Sequence, residues 1–324
     1  MKSFIAIVLS ICFVKSSGTS SDALESLPDE LIELFNSNGT TWKAGKNFDG
    51  LSLSQVKKLF MSSEETLTTN VEQIWHSDSD SHKEFDARTE WPHCPSIGQI
   101  FNQGFCSPSW IYASVGQMAD RICIKTGQNI DVKATVEHMM NGNYDCNSNF
   151  NTADGAKAFR YWSTKGIFIE KPEKSSNQCR CQIKMNDEYF GVSNYRLSQQ
   201  LDIIKEILSR GPITFHIEVY LDLLYYKSGV YQRTSDVKLG SHLVKVIGWG
   251  VENGVDYWLI ANSWGTKWGD NGFFKLKRGV GALRVGENNY SALIEKNTKV
   301  PSTMDKEQLF LVAHKCSCGC DKSW

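Results

Sequence analysis

Gln103-Gly104-Phe105-Cys106-Ser107-Pro108-Ser109-Trp110, running directly into Ile111-Tyr112-Ala113-Ser114, decides how the rest of the chain is read. The stretch reads as a loop that turns into a helix. Ile111, Val115, Met118 and Ile122, at i, i+4, i+7 and i+11, form its buried face. A side chain at the mouth of such a helix stands at the positive end of the macrodipole, where a developing anion is favoured. Gln103, six residues upstream of Ser109, offers an amide donor to the same spot.

Around this stretch lies a chain of 324 residues, long enough for one large domain or two modest ones. Its 35 basic and 36 acidic residues leave a formal net charge of −1, which gives no electrostatic case for nucleic acid or a membrane surface as partner. Residues 4–14 are a largely apolar run behind Lys2, followed by Ser16, Ser17 and Gly18. Residues 1–17 therefore read as a secretory signal peptide, too short to serve as a membrane span. No later stretch approaches transmembrane length. The expectation is a soluble product of the secretory route, secreted or kept in a lysosome-like compartment. Ten cysteines in that setting argue for disulfides, and losing Cys12 with the signal leaves nine, an odd number that flags one unpaired or intermolecular thiol. Asn38-Gly39-Thr40 and Asn289-Tyr290-Ser291 are glycosylation acceptor triplets.

Taken in order, residues 29–35 repeat their apolar side chains at helical spacing, and a second short helix is expected over 53–60. On composition this first part is a small α-helical segment. Residues 64–83 are polar and read as an exposed connector, the place for removing what precedes it. Residues 197–210 form an amphipathic helix stopped by Gly211-Pro212. Antiparallel strands are expected at 213–219, 242–249, 256–262 and 272–277, with Asn253-Gly254 and Asn271-Gly272 as hairpin turns. A helical half before a β-rich half predicts an α+β protein of two lobes with the site between them. His242 followed twenty residues later by Asn262-Ser263-Trp264-Gly265 would bring an amide beside an imidazole and orient the ring.

These residues together resemble the papain-family cysteine peptidases, cathepsin B in particular. The family's Gln-Gly-x-Cys-Gly-Ser-Cys-Trp segment is matched at Gln103 and Cys106, with Ser109 at the nucleophile position. Thr40-Thr41-Trp42 through Phe48 is similar to the cathepsin B propeptide, which lies along the cleft and keeps the zymogen shut. The resemblance implies a papain-like two-lobed fold, with a propeptide at 18–82, a peptidase domain at 83–295 and a cysteine-containing extension at 296–324. It implies His242 and Asn262 as the other triad members and Gln103 as oxyanion donor. Trp264, Tyr290, Ser241, Asn147 and Ser148 would line the substrate pocket, and disulfides would join Cys94 to Cys123 and Cys106 to Cys146. The pairing of Cys179, Cys181, Cys316, Cys318 and Cys320 stays open; the last three with His314 lack a standard zinc spacing, so no metal and no cofactor is expected. Trp110, Trp264 and Trp268 read as packing residues rather than a sugar platform.

The departures from the family bear on activity. A thiolate is stabilised by a helix N-terminus and a paired imidazolium, whereas a serine hydroxyl must lose its proton within the transition state to an aligned base. The glycines of the family's Cys-x-Gly-Gly that admit substrate backbone are absent from residues 143–150, which carry Cys146-Asn147-Ser148-Asn149 instead, and Ser241 and Leu243 add bulk around His242. Pro108 either restricts Ser107 or serves as a first-turn proline. Between 169 and 189 no histidine is present, so the occluding loop of cathepsin B is missing. The leading expectation is a catalytically inactive relative acting by binding a peptide or protein in its cleft, protease inhibitors included. The alternatives are a weak serine-dependent endopeptidase or esterase using Ser109, His242 and Asn262, and a disulfide-linked storage or structural protein.

Overall fold

The computed structural model describes residues 27–37, 39–60, 72–73, 83–105, 109–140, 162, 167–168, 188–197, 199–279 and 290–297. Helix α1 (Glu30–Ser37) buries Leu31 and Phe35, four positions apart on one face. The rest of this first segment is less helical than its composition suggests. Residues Trp42–Ala44 form a strand, β1, paired antiparallel with β7 (Tyr226–Tyr231). Trp42 packs among Phe35, Tyr226 and Tyr231, partners it reaches only in the extended form; the tertiary contact overrides local preference. The expected helix over 53–60 is also shorter. Helix α2 (Leu53–Val56) starts in a capping box, with Ser52 Oγ accepting from the Gln55 amide and the Gln55 side chain accepting from the Ser52 amide. A 3₁₀ turn follows at Lys57–Leu59, and Phe60 leaves it extended.

The body contains α3 (Ala87–Glu90), α4 (Ser109–Thr126), α5 (Val132–Met140) and α6 (Gln200–Arg210). Its strands are β2 (Glu72–Gln73), β3 (Phe85–Asp86), β4 (Ile167–Phe168), β5 (Glu188–Arg196), β6 (Ile213–Tyr220), β7, β8 (Lys238–Glu252), β9 (Val255–Ala261), β10 (Phe273–Lys277) and β11 (Tyr290–Asn297). They form one sheet in the order β1-β7-β10-β9-β8-β6-β11-β5-β2, with β3 on β8 and β4 on β5. Three sequence expectations are corrected. The connector contributes β2, which pairs in parallel with β5. The sheet is not wholly antiparallel, because β10 meets β7 in parallel. His242 sits inside the long strand β8 rather than at a strand start. Asn253 and Gly254, at φ 51° and 78°, close the two-residue turn from Glu252 to Val255.

Helix α4 is buried on almost every side. Trp110, Ile111, Val115, Met118 and Ile122 pack with Ile130, Val132, Val136, Trp162 and Leu243. Polar side chains on the same helix bolt it to the sheet. Lys245 Nζ donates to Asp120 Oδ2 at 2.7 Å and to Ser96 O at 2.9 Å. Arg121 pairs with Glu206 at 2.8 Å and donates to the carbonyls of Gly211 and Pro212. Gln117 Nε2 donates to Ser291 Oγ at 2.8 Å. Each of these four charges therefore faces an opposite one, and Lys245, Arg121 and Glu206 make further hydrogen bonds besides, as a charge inside protein requires. A disulfide joins Cys94 to Cys123 near the end of α4. The second core lies on the sheet, and Leu31, Phe35, Trp42, Val56, Leu59 and Phe60 of the first segment belong to it.

Candidate active site

Residues 101–105 lie beside residues 263–265, which fixes Gln103. The Gln103 amide donates to Ser263 O and the Gly265 amide to Phe101 O, both at 2.9 Å, while Asn102 bridges Trp264. The Gln103 side chain is 4% exposed and oriented from both ends. Ser263 Oγ donates to Gln103 Oε1 at 2.6 Å, so Nε2 faces the other way, where it donates to Leu59 O at 2.9 Å. A peptide carbonyl from the first segment thus occupies the amide that the sequence marked as the oxyanion donor.

Ser109 opens α4, and its hydroxyl accepts a hydrogen bond from the Leu243 amide at 3.2 Å. The next residue back along β8 is His242. Asn262 Oδ1 accepts from the Ser263 amide at 2.8 Å and lies 2.8 Å from His242 Nε2. Because that oxygen is an acceptor, Nε2 carries the proton and Nδ1 keeps a lone pair. Nδ1 is buried and has no hydrogen-bond partner among the described residues. Burial lowers the His242 pKa from 6.5 to about 4, against the upward pull of Asn262 and of the Leu59 carbonyl and with a further downward push from His216. At neutral pH the imidazole is uncharged.

Trp264 covers the His242 ring, with centroids 4.7 Å apart, and Trp268 packs edge-on against Trp264 at 4.9 Å. Phe48 and Phe60 lie on Trp264 at 6.0 and 6.3 Å. Ser109 is 1% exposed and His242 0%, so the site is closed with residues 48–60 in place. Trp110, Trp264 and Trp268 are all buried.

Ser109, His242, Asn262, Gln103 and Trp264 are thus brought together. Ser241 is buried on β8 opposite Glu218 of β6. Tyr290 opens β11, in register with Thr214 and Arg196. Ser291, the last residue of the second acceptor triplet, is fully buried. Asn38, Cys106, Cys146, Asn147, Ser148, Cys179, Cys181, Asn289, Cys316, Cys318 and Cys320 lie outside the described residues. Leu59, Phe60, Ser263 and His216 were missed in the sequence. Ser263 stood inside the Asn-Ser-Trp-Gly run and carried a findable signal. His216 lies directly across from Leu243 in the β6–β8 ladder, a neighbour visible only through strand register.

Comparison with known proteins gives a consistent picture. The family model described as papain family cysteine protease matches residues 81–293, and that described as peptidase family C1 propeptide matches residues 27–60. Cathepsin B-like cysteine proteinase 6 of Caenorhabditis elegans is 30% identical, over 80% of this chain and 81% of that protein. A cathepsin B-like cysteine proteinase of Schistosoma japonicum is 28% identical, over 84% of this chain and 92% of that protein. The solved structure of proCathepsin B S9 from Trypanosoma congolense superposes with a TM-score of 0.70 at 27% identity, covering 84% of this chain and 99% of that one. Digestive procathepsin L2 proteinase from Tenebrio molitor shares the fold, with a TM-score of 0.61 at 20% identity over 82% of this chain and 88% of that one. Among the described residues no helix is long and apolar enough to cross a membrane.

Proposed function

The chain belongs to the papain family of cysteine proteases as a cathepsin B-like member with a family propeptide, and from that premise we propose that it is a catalytically silent relative acting by binding. The observation that carries this reading is the hydroxyl of Ser109. It accepts from the Leu243 amide, and no hydrogen bond joins it to His242 among the described residues. Attack on a carbonyl needs that hydroxyl to hand its proton to the imidazole. A cysteine would meet the requirement by standing as a thiolate, which serine cannot do at neutral pH. The third member, neutral Asn262, orients the ring but offers less to the imidazolium that forms than a buried carboxylate does. Loss of the nucleophile from such a unit costs about 10⁴ to 10⁶ in rate.

What survives is recognition. Gln103 presents a fixed donor to a backbone carbonyl, and Trp264 presents an aromatic face, so an extended peptide or a protein loop, including that of a protease inhibitor, is the ligand. We place the protein in the secretory route, with residues 1–17 as its signal. A second reading has one observation in its favour. The lone pair on His242 Nδ1 is what a general base needs, so Ser109, His242 and Asn262 could support slow serine-dependent hydrolysis. Covalent labelling separates the two. The silent reading predicts no adduct with either a serine-directed phosphonate or a thiol-directed epoxide. A phosphonate adduct on Ser109 would establish the second reading instead.

A further inference from the structure

Helix α1 and the loop that follows β1 do not close completely on the body. Between them lies a cavity of about 400 Å³, open to solvent on one side and within the size range of small-molecule sites. Its floor is the buried pair Leu224 and Tyr225 of the body, and Leu27, Pro28 and Phe48 wall it. The polar side chains that reach the interior are already engaged. The Tyr225 hydroxyl donates to Pro28 O at 3.2 Å, and the Asn47 amide meets Leu224 O, Tyr226 O and the Gly269 amide. The interior therefore calls for hydrocarbon, and the Tyr225 and Phe48 rings favour an aromatic one.

The mouth is charged, and unevenly. Asp29 and Glu30 stand on the helix side and Asp49 on the loop side, with Lys46 the only cation among the described lining residues. Lys46 pairs with Asp29 at 2.6 Å. Glu30 and Asp49 are exposed, and their carboxylates enter no ion pair or hydrogen bond among the described residues. Lys227 also feels Asp49, but its ammonium donates to Lys267 O at 3.1 Å. The negative field reaches the floor: burial first, and then Asp29 and Glu30, push the Tyr225 phenol upward. Acids at the start of α1 need no ligand to explain them, since the helix dipole favours them there. Asp49 lies outside that helix, and an apolar chamber beneath the three acids has no part in capping.

We propose that this cavity is a binding site for an aryl-alkyl amine, whose ring lies over Leu224 and Tyr225 while its ammonium stands between Glu30 and Asp49. The walls come from residues 27–50 and the floor from the body, so the site exists only while the two are docked. Phe48 belongs to both the cavity and the active-site cover. It lines the cavity, and its ring centroid lies 6.0 Å from that of Trp264, which covers His242. A bound amine therefore holds residues 27–50 against the body and steadies the cover over His242, by mass action on the docked form. The site does not depend on whether Ser109 cuts.

The test uses the full, uncleaved chain and three probes of one shape: phenylbutylamine, phenylbutanol and phenylbutanoate. Titration calorimetry should show saturable binding of the amine, binding at least about tenfold weaker for the alcohol, and none for the acid. Glu30→Gln combined with Asp49→Asn changes two exposed side chains. It should weaken the amine about tenfold and leave the alcohol unchanged, which shows that the cavity itself persists. With the amine at about ten times its dissociation constant, exchange of the Gly45 amide, bonded to Tyr225 O across the seam, should slow about tenfold. No saturable amine binding, amine and acid binding alike, or an amine that binds the double variant as tightly as wild type overturns the site. Gly45 exchange that the amine leaves unchanged overturns the holding role. Nα-acetyl-lysine amide binding as tightly as phenylbutylamine overturns the aromatic assignment and makes a lysine side chain of a protein partner the occupant.

Discussion

Acidification should loosen the closed protein through His242, by an amount that the structure sets. The ring is fully buried and its pKa is held at about 4, against 6.5 for an ordinary histidine. Below pH 6.5 the unfolded chain takes a proton on this residue, whereas the closed form does not until about pH 4. Stability is therefore full above 6.5, falls as the pH drops through the interval, and levels off below 4. At about 1.4 kcal/mol per pH unit the whole interval amounts to about 3 kcal/mol, and the part between pH 6.5 and 5 to about 2 kcal/mol. Other buried groups titrate nearby, so the wild-type curve alone does not isolate the effect. Burial pushes Asp120 and Asp222 up, which acts with the opposite sign. Burial also presses Glu206 upward, but Arg121, Tyr195 and Arg210 outweigh it and hold the carboxyl below 4.5, so its contribution is lost only in stronger acid. The comparison to make is urea unfolding of wild type and His242→Gln from pH 7.5 to 4.5. Wild type should lose about 2 kcal/mol more than the variant between pH 6.5 and 5. Parallel curves would refute the assignment of a buried, neutral His242.

Two further outcomes follow from packing. Trp42→Ala removes a ring that is 2% exposed and an indole donor to Gln232 O, and should cost about 3–5 kcal/mol in urea unfolding; a loss below about 1 kcal/mol would show that β1 is not part of the core. Lys245→Met strands the buried Asp120 carboxylate and should cost about 3–5 kcal/mol, most of it recovered in the double variant with Asp120→Asn. If the double variant is no more stable than Lys245→Met, the pair does not join α4 to β8 in the way described.

The parts of this molecule legible from its sequence are those whose signal is local. Ile111, Val115, Met118 and Ile122 declare α4 through their spacing, and Asn253-Gly254 declares a tight turn because both positions take positive φ. Gln103, His242 and Asn262 could be placed because each lies in a short recognisable run. What escaped notice depends on partners far along the chain. Trp42–Ala44 is extended because β7 lies some 185 residues away to receive it (Trp42↔Gly229, Lys43↔Ser228). The parallel pairing of β10 with β7 depends on how strands are ordered across the sheet, which no stretch of a few residues encodes. His216 meets the site only through its register with Leu243, and Leu59 only because residues 48–60 fold back over Trp264. The direction taken by the Ser109 hydroxyl was likewise not legible, since it depends on the amide of Leu243.

The central claim is that the cleft recognises without cutting, and the direct measurement is hydrolysis of peptide and ester substrates by wild type, Ser109→Ala and Ser109→Cys. The account predicts that wild type and Ser109→Ala are indistinguishable, with any turnover confined to Ser109→Cys. Hydrolysis by wild type that Ser109→Ala abolishes would contradict it and make Ser109 a working nucleophile.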